Sequence, residues 1–318
     1  MEGDGGRSSE NWERKVLERL VFESLVEQRR RRRWGVFFKL LGLAFVGLIV
    51  FRSGDWSDPA ERLVDGKGYV AMVSIDGVIE PGGGASAEQI IDALQLAYAD
   101  RSVQGVVLRL NSPGGSPVQA GMINDEIARL RQMRPELKVA AVVEDVCASG
   151  GYYVAAAADT IYVDKASLVG SIGVLMDNFG FVGAMEKVGV ERRLLFAGES
   201  KGFLDPFSPQ RPEHLVHARG LLAQIHQQFI DVVRKGRGDR LREVPEMFSG
   251  LVWTGQRSIE LGLADGFGTV ESVARDVFQV SEVRDFTRRG SLVERFAEQF
   301  GANVSERLLA SFGRFNLR

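Results

Sequence analysis

The sequence has very little cysteine and histidine. Cys147 is the one cysteine among 318 residues, so an intramolecular disulfide is excluded, and there are three histidines. A metal site would therefore depend mostly on other ligands. The thiol of Cys147 is either a nucleophile close to Ser149 or a small buried group, and a buried group is the favoured interpretation for a lone cysteine.

Net charge is also small. The formal value of −2 gives no indication of a nucleic-acid partner, and we predict none. The charge is uneven, because Arg29–Arg33 is an unbroken block of five arginines. Apolar residues make up 45% and charged residues 26% of the chain, which is the composition of a globular protein with a sizeable core.

The sequence has one long apolar run. Trp34–Phe51 is apolar except for Lys39, and its 18 residues approach the ~20 that cross a bilayer core. Lys39 lies near one end, where its stem reaches the headgroups. The arginine block beside the run places the N-terminus in the cytoplasm by the positive-inside rule. We therefore predict an uncleaved single-pass anchor at residues 34–52, with the large C-terminal part outside the cytoplasm, in the periplasm of a Gram-negative cell.

Two alternatives to the anchor stay open. A cleaved signal peptide is disfavoured because the run starts late and Arg52–Asp55 offers no small-residue cleavage site. A buried helix of a soluble domain is disfavoured by the adjacent arginine block. The predicted organisation has five parts: a basic amphipathic cytoplasmic segment (1–33), the anchor (34–52), a polar linker (53–67), a catalytic domain (68–285) and an amphipathic C-terminal tail (286–318).

Residues 68–285 alternate between short apolar runs and helical patterns, which predicts a layered α/β domain. Strands are predicted at Tyr69–Ile75, Val103–Leu110, Val139–Val143, Thr160–Val163, Leu168–Leu175 and Val190–Phe196. Helices are predicted from Ser86 to Ala99, from Ser116 to before Pro135, and at Tyr152–Ala158, Asn178–Val188, Pro212–Lys235 and within 253–268, the last ended by Gly262. Asp145–Gly151 is predicted as a turn. Ser86 with Gln89 has the pattern of a capping box, and Ser116 with Pro117 that of a helix start.

Ser149 lies between a predicted strand and a predicted helix. Such a junction exposes the hydroxyl at the carboxyl end of a strand, and the Gly150 amide would face a developing oxyanion. The other interpretation is that Ser149 only caps the helix. The segment Asn111–Gly115 (NSPGG) makes a second loop of the same kind. The two loops together would pair the Gly115 and Gly150 N–H groups, although a plain turn is the commoner role of such a segment.

A general base is not obvious among the histidines. His214, His217 and His226 fall on one polar-faced helix and are predicted to be surface residues. Lys201 is the alternative, in a glycine-bracketed segment followed by Phe203 and Leu204. An apolar pocket there would lower the lysine pKa from ~10.4 toward the ~7–8 that suits a base, whereas a loop on the surface would leave Lys201 an ordinary lysine.

Several separate stretches together resemble the signal peptide peptidase A family. Its members are Ser–Lys serine proteases with the fold of the Clp protease and crotonase group. The matching stretches, in order, are VSIDGVI (73–79), LRLNSPGG (108–115), ASGGYYVA (148–155), GSIGV (170–174), the Lys201 loop and WTGQRSIELGLADGFG (253–268). The resemblance covers about residues 68–277. Ser258 departs from it, because the family usually has alanine there.

The resemblance implies an α/β ββα superhelical spiral, Ser149 as nucleophile, Lys201 as base, and Gly115 and Gly150 as the oxyanion hole. It also implies a homo-oligomeric ring, with an octamer favoured, in which Ser and Lys can come from neighbouring subunits. The substrates it implies are cleaved signal peptides and other hydrophobic peptides at the membrane. This chemistry needs no metal or cofactor. A crotonase-like acyl-CoA enzyme and a catalytically silent membrane scaffold are the two rival functions.

Overall fold

The computed structural model describes residues 33–45 and 68–288, and the chain separates into two compact units, residues 1–66 and 67–318. In the first unit, residues 33–45 form helix α1, whose apolar side chains are exposed. Within the described ranges, no helix is both long and apolar enough to cross a membrane. The rest of the predicted anchor, the cytoplasmic segment, the linker and most of the tail lie outside the described residues, so these remain predictions.

Eight strands of residues 68–288 form one mostly parallel sheet. They are β1 (Tyr69–Asp76), β2 (Val103–Ser112), β3 (Val139–Ala148), β4 (Thr160–Val163), β5 (Leu168–Gly170), β6 (Val252–Thr254), β7 (Gly266–Phe267) and β8 (Val283–Asp285). The order is β6-β5-β3-β2-β1-β8, with β4 paired to β3 and β7. Only β5 and β6 pair antiparallel among these described strands.

Helices connect the strands in this part of the chain. They are α2 (Ala87–Ala99), α3 (Pro117–Met133), α4 (Gly150–Ala155), α5 (Val182–Val188), α6 (Pro212–Arg237), α7 (Gly255–Glu260) and α8 (Val270–Asp276). The α/β prediction is therefore confirmed, with β1, β2, β4, α2, α3 and α6 close to their predicted bounds. Ser116 caps α3 by accepting the Gln119 N–H, as predicted.

The central strands are buried on both faces, which explains why they read as continuous apolar runs. On one face, side chains such as Val73 and Leu108 pack with Ile90 of α2 and Ile123 of α3. On the other face, strand residues including Val70 and Val107 pack with Val270 and Val273 of α8. This second layer is small, and it covers the sheet only toward the beginning of the strands.

The predicted turn at Asp145–Gly151 is wrong, because β3 continues through Ala148. The strand carries a bulge instead: Leu110 faces Val143 and Ser112 faces Cys147, so residues 144–146 all lie opposite Asn111. The side chain of Asn111 accepts the freed Val146 N–H at 3.3 Å. Polar residues inside a strand therefore marked a bulge and not the end of the strand.

Other predicted boundaries also fail. β5 ends at Gly170 and not at Leu175, and no strand forms at Val190–Phe196, where Leu195 is 96% exposed. A short segment with apolar residues forms a strand only where another element covers it, and no element among the described residues covers this one. The Ser86 side chain makes no capping bond; the Gln119 side chain accepts the Ala87 N–H at 2.8 Å in its place.

A buried ion pair joins the end of α6 to the sheet. The Arg237 side chain is fully buried, and its guanidinium donates to both carboxylate oxygens of Asp265 at 2.8 and 2.9 Å. Asp265 also accepts the Ile161 N–H of β4 at 2.7 Å. Burial alone would raise the pKa of the Asp265 carboxyl, but the hydrogen bonds and charge of Arg237 outweigh it and hold the pKa below its ordinary value.

Asp265→Asn should lower the free energy of unfolding by about 3 kcal/mol at neutral pH, because it leaves the Arg237 charge buried without a counter-ion. A depressed carboxyl pKa stabilises the fold above the unfolded pKa of about 4, and this stabilisation disappears as pH falls through the folded pKa. The gap in melting temperature between variant and wild type should therefore narrow in acid. Asp276→Asn, at an exposed ion pair, is the control and should change the melting temperature little. A gap that does not depend on pH would contradict the ionic explanation.

Candidate active site

Ser149 occupies a strained junction between β3 and α4. Its backbone has φ 50° and ψ −123°, a conformation that residues other than glycine rarely adopt. The Ser149 N–H donates to the Gly170 carbonyl at 2.8 Å, and the Ser149 carbonyl accepts from Tyr153 N at 3.0 Å. The side chain makes no capping bond. The capping interpretation of Ser149 is therefore wrong, and the strained turn has the form of a nucleophile elbow.

The loop at Pro113–Gly115 lies directly against this turn. A Cβ atom on Gly114 would lie 2.6 Å from the Gly150 nitrogen and 2.8 Å from the Ser149 Cβ, so no side chain fits there. A Cβ on Gly115 would lie 2.2 Å from the Ile79 carbonyl oxygen. Both glycines also have positive φ, 102° and 150°. The two glycines are therefore required by close approach and by backbone conformation together.

Backbone hydrogen bonds hold this glycine loop in place. Ile79 donates to the Gly114 carbonyl and accepts from Ser116 N, both at 2.8 Å. The Ser112 hydroxyl donates to the Gly77 carbonyl at 2.6 Å and accepts from Gly114 N at 3.1 Å. The segment Gly77–Ile79 thus supports the loop from the side away from Ser149.

The amides of Gly115 and Gly150 come together beside Ser149. A Cβ built on Gly150 would lie 3.2 Å from the Gly115 nitrogen. In the described part of the chain, neither N–H donates to a protein acceptor. Two adjacent free amides next to a hydroxyl are the donors that an oxyanion hole requires. Three of the four residues predicted for the site are therefore brought together.

These three residues line a cleft of about 730 Å³. Its wall has polar and apolar parts, with contributions from α3, α4 and α6 and from the segments that follow β5 and precede β6. The apolar side chains lining it are Ala120, Tyr153, Val174, Leu175, Ile225, Phe229 and Phe248. Such a cleft suits an apolar ligand held by a few polar groups at one end.

Lys201 is not among the residues that line the cleft. It lies in an irregular segment between α5 and α6 and is exposed. The following Phe203 packs with its ring centroid 5.4 Å from His214 and 5.5 Å from His217. The described part of one chain therefore does not supply the apolar pocket expected around Lys201, and the role of this lysine stays a prediction.

The prediction of surface histidines is wrong for two of the three. His214 is 6% exposed, and its Nε2 has no hydrogen-bond partner in the described chain. His226 is half-buried in the wall of the cleft, where its Nε2 lies 3.1 Å from the Ile172 carbonyl oxygen. Its position three residues before Phe229 puts it on the inward face of α6, a signal that was present in the sequence.

Cys147 is the buried group that was expected. It is fully buried two residues before Ser149, and burial raises the pKa of its thiol far above the ordinary value. A thiol that stays protonated is a poor nucleophile. Ser149 is therefore the nucleophile candidate of this turn.

Parts of the chain are similar to known proteins. The model of peptidase family S49 matches residues 131–284. A Brucella abortus protein named as the Na⁺/H⁺ antiporter NhaA is 41% identical over 66% of this chain. A Synechocystis protein provisionally named a protease is 30% identical over 64% of this chain and 70% of its own length. Protease 4 of Haemophilus influenzae is 29% identical over 74% of this chain and 38% of its own length. The chain spans only 29% of the length of the Brucella antiporter it matches.

Ser149→Gly should raise the melting temperature relative to Ser149→Ala, because only glycine relieves the positive φ. The expected gain is about 1 kcal/mol, less than the full strain because glycine also loosens the unfolded chain. Thermal denaturation of the two full-length variants measures it. Equal stability of the two variants would show that the turn is not strained.

Cys147 should resist alkylation in the native chain, since a buried protonated thiol reacts slowly. Iodoacetamide at about pH 8, with mass spectrometry as the readout, should leave native Cys147 unmodified and alkylate it in urea. Rapid modification of the native chain would mean that the thiol is accessible and reactive.

Proposed function

This chain belongs to peptidase family S49, the signal peptide peptidase A family, and on that premise we propose that it is a membrane-anchored serine endopeptidase in which Ser149 is the nucleophile and Lys201 the general base. The observation that carries the proposal is the strained Ser149 turn, which lies in a cleft beside the free amides of Gly115 and Gly150. A crotonase-like acyl-CoA enzyme would use the glycine loop but would have no need of a strained serine. We assign no transport activity on the strength of the antiporter match.

The proposed reaction is acyl transfer. The neutral amine of Lys201 accepts the Ser149 hydroxyl proton as Oγ attacks the scissile carbonyl, and the Gly115 and Gly150 amides hold the oxyanion. The Lys201 ammonium then protonates the leaving amine as the peptide bond breaks. Water attacks the acyl-enzyme next and gives a proton to the neutral Lys201 amine. The Lys201 ammonium returns a proton to the Ser149 oxygen as the ester bond breaks and the acid is released. The protein groups balance every proton, so the cycle needs no metal or cofactor.

Lys201 reaches the cleft in this proposal from a second copy of the chain. Two observations support it: Lys201 is absent from the lining of its own chain's cleft, and the segment that carries it exposes large apolar side chains. Phe179, Val188 and Leu195 are 72%, 73% and 96% exposed. A contact with a neighbouring copy would bury these side chains and also desolvate the lysine, lowering its pKa. A closed ring satisfies such a head-to-tail contact, and we favour an octamer with the superhelical spiral of the Clp protease group.

The proposed substrates are cleaved signal peptides and other hydrophobic peptides at the membrane. The apolar side chains in the wall of the cleft support this class, since they would cover apolar side chains of the peptide. The exposed apolar side chains of α1, such as Phe38 and Leu43, support an anchor in the cell (inner) membrane that keeps the cleft near the bilayer. In this arrangement the N-terminus is cytoplasmic and the catalytic domain is periplasmic or otherwise outside the cytoplasm.

A fluorophosphonate probe should label the wild-type chain at Ser149, and a hydrophobic peptide should be hydrolysed. Ser149→Ala should abolish both signals.

Lys201→Ala should reduce kcat by about 10³-fold or more while leaving the assembly intact, because no group remains to take the proton. Lys201→Arg is the matched control that keeps the charge without a usable base, and it should be equally inactive. Hydrolysis unchanged in Lys201→Ala would remove this lysine from its role. Absence of probe labelling in the wild type would instead favour an acyl-CoA enzyme or a silent scaffold.

Mixing the two inactive variants tests whether the dyad spans two copies. In a random 1:1 assembly of Ser149→Ala with Lys201→Ala, about one quarter of the sites would combine an intact serine with a neighbour's intact lysine. Peptide hydrolysis should therefore return to about that fraction of wild type, whereas a dyad within one chain would give no recovery.

A further inference from the structure

The wall of the cleft next to Ser149 is one short segment, Gly170–Val174, that follows β5. Three hydrogen bonds fix its first half. The Gly170 carbonyl accepts from Ser149 N at 2.8 Å, Ser171 N donates to the Leu251 carbonyl at 2.8 Å, and the Ile172 carbonyl lies 3.1 Å from His226 Nε2. The first bond couples this wall directly to the nucleophile's own backbone.

The backbone of Ser171 is strained in this wall. It has φ 51°, a left-handed value that is strained for serine. Such a conformation persists only where surrounding contacts impose it. Beyond the wall, residues 175–181 have no regular structure and are exposed. The bond from α6 is therefore the last described hydrogen bond that holds the wall before the chain leaves the cleft.

The chemistry of this bond fixes the role of His226. A carbonyl oxygen only accepts, so Nε2 must carry the hydrogen and donate it to Ile172. A nitrogen in that state does not take a proton from the Ser149 hydroxyl. His226 therefore lies in the same cleft as the nucleophile without being its base through this atom.

The second half of the wall has unused backbone groups. Gly173 and Val174 line the cleft together with Ser149, and in the described chain neither their N–H nor their C=O groups make hydrogen bonds. Free backbone N–H and C=O groups are what a peptide needs in order to add alongside a segment as a strand. Their spacing along the cleft depends on where Ile172 is held.

We propose that His226 is a positioning residue that fixes the Ile172–Val174 wall, against which a peptide substrate lies on one side of its scissile bond. This inference rests on the proposed peptidase function. Without the His226 donor, the buried Ile172 carbonyl loses its partner and the strained wall relaxes. Binding of an extended peptide then weakens, while Gly170 stays paired with Val252 of β6 and keeps its hydrogen bond to Ser149 N.

The test compares His226→Ala with His226→Gln, because the glutamine amide restores an N–H donor of similar reach. In the full-length assembled protein, His226→Ala should raise KM about tenfold for a hydrophobic peptide of about eight residues, with a smaller effect on kcat. His226→Gln should recover most of the loss. The rate of fluorophosphonate labelling should stay within about twofold of wild type in both variants, since the small probe does not use the wall. Gln224→Ala, at an exposed position on the same helix, is the control.

Several outcomes would overturn this inference. Equal losses in His226→Ala and His226→Gln would show that a donor to Ile172 is not what matters. A parallel loss of probe labelling would place His226 at the chemical step, and unchanged kinetics in His226→Ala would remove its role. A melting temperature for each variant separates unfolding from these effects. Failure of the wild type to hydrolyse the peptide or to react with the probe would overturn the proposed function itself, and the inference with it.

Discussion

A single side-chain carbon at Gly114 would lie 2.6 Å from the Gly150 nitrogen and 2.8 Å from the Ser149 Cβ. The loop after β2 and the turn after β3 touch through their backbones, and this contact sets the distance between the two free amides. It also leaves the Ser149 side chain at the edge of the contact, where it lines the cleft. The other features of the site either allow these two backbone segments to come this close or depend on their closeness.

The bulge in β3 is the feature that makes it possible. Residues 144–146 all face Asn111, so the strand is divided into two halves. β4 pairs with the first half and β5 with the second, beside Ser149. The Gly170 carbonyl at the end of β5 is then in reach of the Ser149 N–H and helps hold its strained φ. A polar interruption that looks like the end of a strand is thus what aligns the nucleophile with the wall of the cleft.

The proposed catalytic residues lie in two different kinds of structure. The serine and the two amides lie in the turns that follow β2 and β3, and described residues of the same chain hold them in place. Lys201 belongs to an exposed segment with apolar side chains that the described residues leave uncovered, and in the proposal a partner covers it. Helix α6, which carries His226, connects these two parts, because it begins next to the Lys201 segment and passes the wall of the cleft. One helix would then relate the assembly contact to substrate binding.

The sequence by itself determined the parts that depend on local patterns. Continuous apolar runs identified β1 to β4, and NSPGG and the ASGG turn identified three residues that meet in the cleft. Tertiary structure alone decided the bulge at residues 144–146, the failure of a strand at Val190–Phe196, and the hydrogen bond between His226 and Ile172. Each of these depends on what lies across from a segment: Asn111 satisfies a freed amide, no element of the described ranges covers Leu195, and the Ile172 carbonyl faces His226. A local pattern carries no information about a neighbour that is distant in the chain, so only the fold could supply it.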